Sequence, residues 1–140
     1  MPSSSLSSTV LRLSGIAFFG AIGIFTRYFF SVAFEKFWNL GGFYATFSVN
    51  ILGSFGIGIL YVLAAEHRLI SEDFRTMIAV GFFGGFTTFS SYTLDAIRLL
   101  QTGDWQTALA YFVSSPILGV FAAYVGMLLA RLLPFVGVSM

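Results

Sequence analysis

The residues that could do chemistry in this chain are mostly uncharged, and they lie inside apolar runs. The densest group is Gly81-Phe82-Phe83-Gly84-Gly85-Phe86-Thr87-Thr88-Phe89-Ser90-Ser91-Tyr92-Thr93. Its glycines weaken a helix, and Ser and Thr hydroxyls follow at once. Within a bilayer, broken backbone is tolerated only when buried in protein or lining a polar cavity. Freed carbonyls there can hold a cation, and the start of the following half-helix can face an anion. Beyond the expected break, Phe89 and Tyr92 stand at i, i+3, while Thr88, Ser91 and Asp95 fall on a neighbouring face. An aromatic pair at that spacing is equally at home in a core.

Outside this segment the candidates are few. Arg27 is the ionisable side chain set well inside a span. It admits two readings: snorkelling to the interface past Tyr28–Phe34, or a functional charge. Asn50 sits mid-span with Thr46 one turn earlier on the same face. Such an Asn serves either as an interhelical hydrogen bond or as part of a permeation route. Tyr111 and Ser115 share a face at i, i+4, continuing to Gly119, which alone reads as packing.

The elements that must position these residues follow from composition. Of 140 residues, 57% are hydrophobic and 9% charged, and the mean hydropathy is +0.89. An ordinary soluble protein carries roughly 25% charged residues. So little charge cannot cover a water-soluble globule, so the chain reads as an all-α integral membrane protein. Charge-free runs at Leu13–Thr26, Phe37–Ala65, Thr76–Leu94 and Trp105–Ala130 predict four transmembrane helices, near 13–34, 44–65, 77–100 and 108–133. A span needs about 20 apolar residues. The third carries the break. Residues 1–10, Ser-rich, are expected to be disordered, and 11–135 to form a single four-helix transmembrane domain. The apolar pattern runs on past Arg27 with no small-residue cleavage site, which disfavours a signal peptide.

The same composition excludes several function classes. A net charge of +1 offers no footprint for nucleic acid. There is no cysteine, and His67 is the single histidine, so disulfides, thiolate nucleophiles and His-cluster metal sites are absent. The spans hold no carboxylate pair and no nucleophile–base pair, so the chain is not expected to be an enzyme.

Orientation is weakly specified. Arg12, Arg68, Arg75 and Arg131 fall on one side of a four-span chain; Lys36 and Arg98, with Arg27 if it reaches that surface, fall on the other. An antiparallel pair is compatible with that balance, as is a fixed orientation with the N-terminus inside. Gly81/Gly85 form a GxxxG pair, and Ser54/Gly58 and Ala122/Gly126/Ala130 a looser version. Packing is the first reading of the last two. Four close-packed helices leave no internal pore, so transport demands an oligomer, and the small-residue stripes are expected to supply its surface.

Gly84-Gly85-Phe86-Thr87-Thr88-Phe89-Ser90 resembles the signature of the Fluc (CrcB) family of fluoride channels. The likeness extends to Gly20–Tyr28, Thr46–Gly53, Ala108–Tyr111 and Ser115, nearly all the chain beyond its Ser-rich start. It implies a multi-pass protein of the cell inner (plasma) membrane, an antiparallel dual-topology homodimer, with two fluoride pathways and a structural sodium ion at the dimer centre. By position, the ring pair becomes Phe89 and Tyr92 and the asparagine Asn50. The hydroxyl track becomes Thr88, Ser91, Tyr111 and Ser115, with Thr46 nearby. The sodium carbonyls become Gly84 and Thr87, and Asp95 falls where the family often has Glu. Tyr92 in place of a second phenylalanine, and Gly119 in place of a serine, depart from the pattern.

Physical chemistry fits that assignment. Fluoride is tightly hydrated, so a selective path must replace water with several donors at once, each weak enough to permit exit. Asn50 offers two N–H donors and each hydroxyl one. Aromatic edges are electropositive and face an anion without gripping it. Arg27 would add a favourable potential near the entrance. The rival is a small dual-topology multidrug or cation exporter, which needs an embedded carboxylate; Asp95 is the one candidate, near the end of the third span.

Overall fold

The computed structural model describes residues 3–133, and among these it is all-helical with no strand. Helix α1 spans Ser3–Trp38 and α2 Gly42–Tyr61, the latter continued by a π-helical turn at Val62–Glu66. The next segment comes in pieces: α3 (Glu72–Thr76), a π-helical stretch Met77–Phe83, and a single turn α4 (Gly84–Phe86). Then α5 runs Phe89–Gln101 and α6 Trp105–Leu132. Among the described residues, three helices are long and apolar enough to cross a membrane: Leu6–Trp38, Gly42–Glu66 and Trp105–Leu132.

The Ser-rich start expected to be disordered is helical from Ser3. Adding a turn to an existing helix closes one hydrogen bond per residue and avoids the cost of a new nucleus. The first two residues, and the expected domain end at 135, lie outside the described residues.

Short connections have local causes. After α1, Asn39 takes a left-handed backbone (φ 49°), and the Leu40 amide donates back to the Phe34 carbonyl at 3.5 Å, closing the helix end. Ser71 caps α3 by accepting from the Phe74 amide, and Asp104 caps α6 by accepting from the Thr107 amide. Gly103, at φ 83°, makes the α5–α6 turn that few other residues would adopt.

The break falls after the glycines. Thr87 (φ −85°, ψ 156°) and Thr88 (φ −150°, ψ 112°) are extended, whereas Gly84 keeps helical angles. The glycines allow close approach instead. A Cβ on Gly85 would lie 2.7 Å from the Gly20 carbonyl oxygen of α1, and one on Gly81 equally close to the Ile16 carbonyl oxygen. From the other side, Gly23 of α1 presses on the Phe82 carbonyl.

The remaining stripes are used in the same way. Gly58 of α2 sits against the Ala123 carbonyl of α6, and Gly126 of α6 against the Phe55 carbonyl of α2. The small-residue stripes expected on an oligomer surface are therefore spent inside the protomer. Backbones meeting at this distance gain many van der Waals contacts, the main attraction available between helices in lipid. What faces outward is apolar: Phe18, Phe25, Phe29, Val120 and Phe121 are exposed.

Candidate functional site

Two extended residues in the middle of a helical segment leave backbone groups to be satisfied from outside. The Asn50 side chain of α2 does this at Thr88. Its Nδ2 donates to the Thr88 carbonyl at 3.1 Å, and its Oδ1 accepts from the Thr88 amide at 2.8 Å. A side-chain amide thus replaces the neighbour that a regular helix would supply. Half of its donor capacity is consumed, so one Nδ2 hydrogen of Asn50 remains for any other partner.

Arg27 supports the other side of the break. It is half-buried, and its Nε donates to the Gly85 carbonyl at 3.0 Å. That contact ties the guanidinium to the interrupted segment. Of the two readings open for Arg27, the geometry matches an engaged charge more than a side chain stretching to the interface.

The remaining carbonyls follow from this bookkeeping. In a continuous helix the Thr88 amide would point at the Gly84 carbonyl, but it is taken by Asn50. The Ser91 amide would point at Thr87, but it donates to Thr88 Oγ1 at 3.2 Å, the cap of α5. The Gly84 and Thr87 carbonyls, the pair expected to hold sodium, have both lost their regular donors.

Hydroxyls and rings continue from the break along α5. Thr88 Oγ1 donates to Ser91 Oγ at 3.0 Å. Phe89 and Tyr92 have ring centroids 5.6 Å apart, yet their environments differ sharply: Phe89 is 77% exposed and Tyr92 is 5% exposed. The Tyr92 ring lies 5.3 Å from that of Tyr111 and is stacked at 5.9 Å on Phe112. Its hydroxyl donates to the Phe112 carbonyl at 2.6 Å.

Further along, Thr46 donates to Asp95 Oδ2 at 2.8 Å. The buried Tyr111 hydroxyl lies beside this pair. Ser115 is buried on α6 and lines a groove with Asn50, Phe89 and Tyr92.

Two grooves of about 380 and 320 Å³ flank Phe89, and both are bounded by Asn50, Ser54 and Ile57 as well. The first also reaches Gly84, Thr87 and Thr88. The structure therefore places Asn50 and Phe89 between two grooves, one with Thr87 and Thr88 and the other with Tyr92 and Ser115. Thr46 and Tyr111 form a second polar cluster with Asp95, and Arg27 stands apart on the α1 side.

Ser54, which by its spacing with Gly58 reads as packing, lines both grooves. Its place one turn beyond Asn50 was the signal that it shares the groove face. Phe112 contributes a main-chain oxygen, and its signal in the sequence is Pro116 four residues on, which removes the helical donor of that carbonyl.

An interrupted helix braced by an asparagine and an arginine, set among helices of membrane-crossing length, defines a small multi-pass membrane protein. The chain matches the family model described as CrcB-like protein, camphor resistance (CrcB), over residues 14–127, and it belongs to that family. It is similar to proteins named fluoride-specific ion channel FluC. That of Magnetococcus marinus is 37% identical over 123 residues, covering 88% of this chain and 100% of the relative. That of Saccharophagus degradans is 35% identical over 131 residues, covering 94% and 98%. That of Helicobacter pylori is 42% identical over 122 residues, covering 86% and 92%.

Proposed function

We propose that this protein is a fluoride-selective ion channel of the cell inner (plasma) membrane. It crosses the bilayer four times, with the interrupted segment as the third crossing, and works as an antiparallel homodimer. The observation that carries the reading is the position of Phe89. This ring is 77% exposed between two grooves that both contain Asn50. Neither groove is closed within one protomer, and a second copy against Phe89 would complete two equivalent routes.

Each residue then has a task. Phe89 and Tyr92 offer electropositive ring edges, and the free Nδ2 hydrogen of Asn50 and the hydroxyls of Ser91 and Ser115 offer donors. Thr88 Oγ1 already serves Ser91, so its part is to hold the track in place. Thr46, Tyr111 and Asp95 form the outer polar cluster. Arg27 adds positive potential beside the break. Several weak contacts strip water from a small anion without trapping it, and a negative-inside voltage drives it outward.

The structural sodium ion fits the same frame. A hard cation prefers oxygen ligands, and Gly84 and Thr87 present carbonyls freed from helical donors. Bound there, sodium would neutralise the carbonyl ends of two facing breaks.

The deciding experiment loads purified protein into liposomes and follows efflux of fluoride, chloride and a lipophilic cation. Fast fluoride efflux with little of the others supports the channel. Cation efflux coupled to protons would make the protein an exporter. Non-permeant labelling of Thr102→Cys and Glu72→Cys, made separately in a chain with no native cysteine, tests topology. Partial labelling of both supports mixed orientation; labelling of one alone refutes it.

A further inference from the structure

The hydroxyl that distinguishes Tyr92 from a phenylalanine has a destination made by another residue. Pro116 lies inside α6. Proline has no amide hydrogen, so the carbonyl four residues earlier, that of Phe112, has no donor from its own helix. Without water, a carbonyl left in this state is costly. Tyr92 Oη supplies the missing donor at 2.6 Å, and the two rings stack at 10°.

We infer that Pro116 is a positioning residue for the pathway: it opens the Phe112 carbonyl so that Tyr92 can be tethered there. The inference rests on the channel reading in one respect, that Tyr92 belongs to the ion route. The tether explains how a tyrosine is tolerated at such a position. Its only O–H is committed to backbone, so it does not face the anion as a strong donor, and the ring edge alone is left to do so. Stacking on Phe112 and the hydrogen bond together hold the ring at two points, against the groove that Pro116 itself lines. Phe89, with no such anchor and 77% exposed, is the free member of the pair.

The test is a double-mutant cycle read by thermal unfolding of the intact protein, with fluoride efflux measured beside it. Tyr92→Phe is expected to lower the melting temperature by several degrees, because the Phe112 carbonyl loses its donor. In the Pro116→Ala background the new amide serves that carbonyl, and Tyr92→Phe is expected to shift the melting temperature little. Equal losses in both backgrounds, or no loss in either, overturn the tether.

Should Pro116→Ala fail to fold, 4-aminophenylalanine introduced at position 92 keeps an N–H donor on the same ring. It is expected to restore the melting temperature lost in Tyr92→Phe, and failure to do so overturns the proposal. Efflux adds a separate reading. In Tyr92→Phe any loss of flux is expected to follow the lost stability, and to be recovered with it by 4-aminophenylalanine, since the ring is kept throughout. Lost flux at unchanged melting temperature would make the hydroxyl an ion contact and overturn the tether. An unmodified protein that carries no fluoride would sink the channel reading, yet the melting cycle would still report on Tyr92 and Pro116.

Discussion

Asn50 and Thr88 are joined by two hydrogen bonds, one in each direction, at 3.1 and 2.8 Å. The amide side chain of one helix stands in for a peptide at the interruption of another. The clasp pairs both backbone groups of Thr88, and so holds the break at Thr87–Thr88 from which α5 starts.

Asn50→Leu is expected to leave both the amide and the carbonyl of Thr88 unpaired. Each unsatisfied group costs about 1–3 kcal/mol, so the protein should melt at clearly lower temperature and fluoride flux should fall. Thermal unfolding in detergent, paired with liposome efflux, checks both. A variant that melts like the parent would show that water or another side chain can replace the clasp.

For Arg27 the comparison of three variants is informative. Arg27→Leu orphans the Gly85 carbonyl and should destabilise the protein. Arg27→Gln keeps an N–H donor of shorter reach and should fall between. Arg27→Lys retains charge but not the planar guanidinium that presents Nε to the carbonyl. Were Arg27 held only by headgroups, the lysine variant would match the parent in stability, and that result would discard the Gly85 contact as its purpose.

Phe89→Ile should fold normally, since a ring that is 77% exposed contributes little to the protomer's own core. Fluoride flux should nonetheless drop strongly, because an aliphatic chain has no electropositive edge. The check is flux at matched amounts of reconstituted protein. Parent-like flux would remove Phe89 from the route.

Gly23→Ala should be among the most damaging of single methyl additions. Its Cβ would run into the Phe82 carbonyl, and backbone cannot rotate aside as a side chain can. Overpacking of this kind costs about 1–3 kcal/mol. Gly42→Ala, where a Cβ meets nothing within 4 Å, is the control and should be neutral. Equal melting temperatures for the two would mean that α1 and the interrupted segment separate more readily than their contact suggests.

Much of this protein was legible in its residues. Apolar runs without charge dictate helices of membrane-crossing length, because only an internally bonded backbone is stable in hydrocarbon. Glycines followed by hydroxyls announce an interruption, and the pattern of Thr87, Thr88, Phe89 and Asn50 points to the family. These are local properties of composition and period, and they do not depend on which helix lies beside which.

Tertiary structure decided the rest. The break sits at the threonines because Asn50 and the Thr88 hydroxyl can satisfy amides there, while the glycines are needed for contact with α1. Gly58 and Gly126 serve the α2–α6 contact inside the protomer, a choice that spacing alone cannot reveal because a small-residue stripe fits a helix of the same chain as well as one of another. Arg27 reaches Gly85, and Tyr92 reaches Phe112, across sequence separations that no helical period encodes. In each case the partner is a main-chain oxygen. Every residue has one, and although Pro116 leaves the Phe112 oxygen without its helical donor, only the packed fold selects the side chain that reaches it.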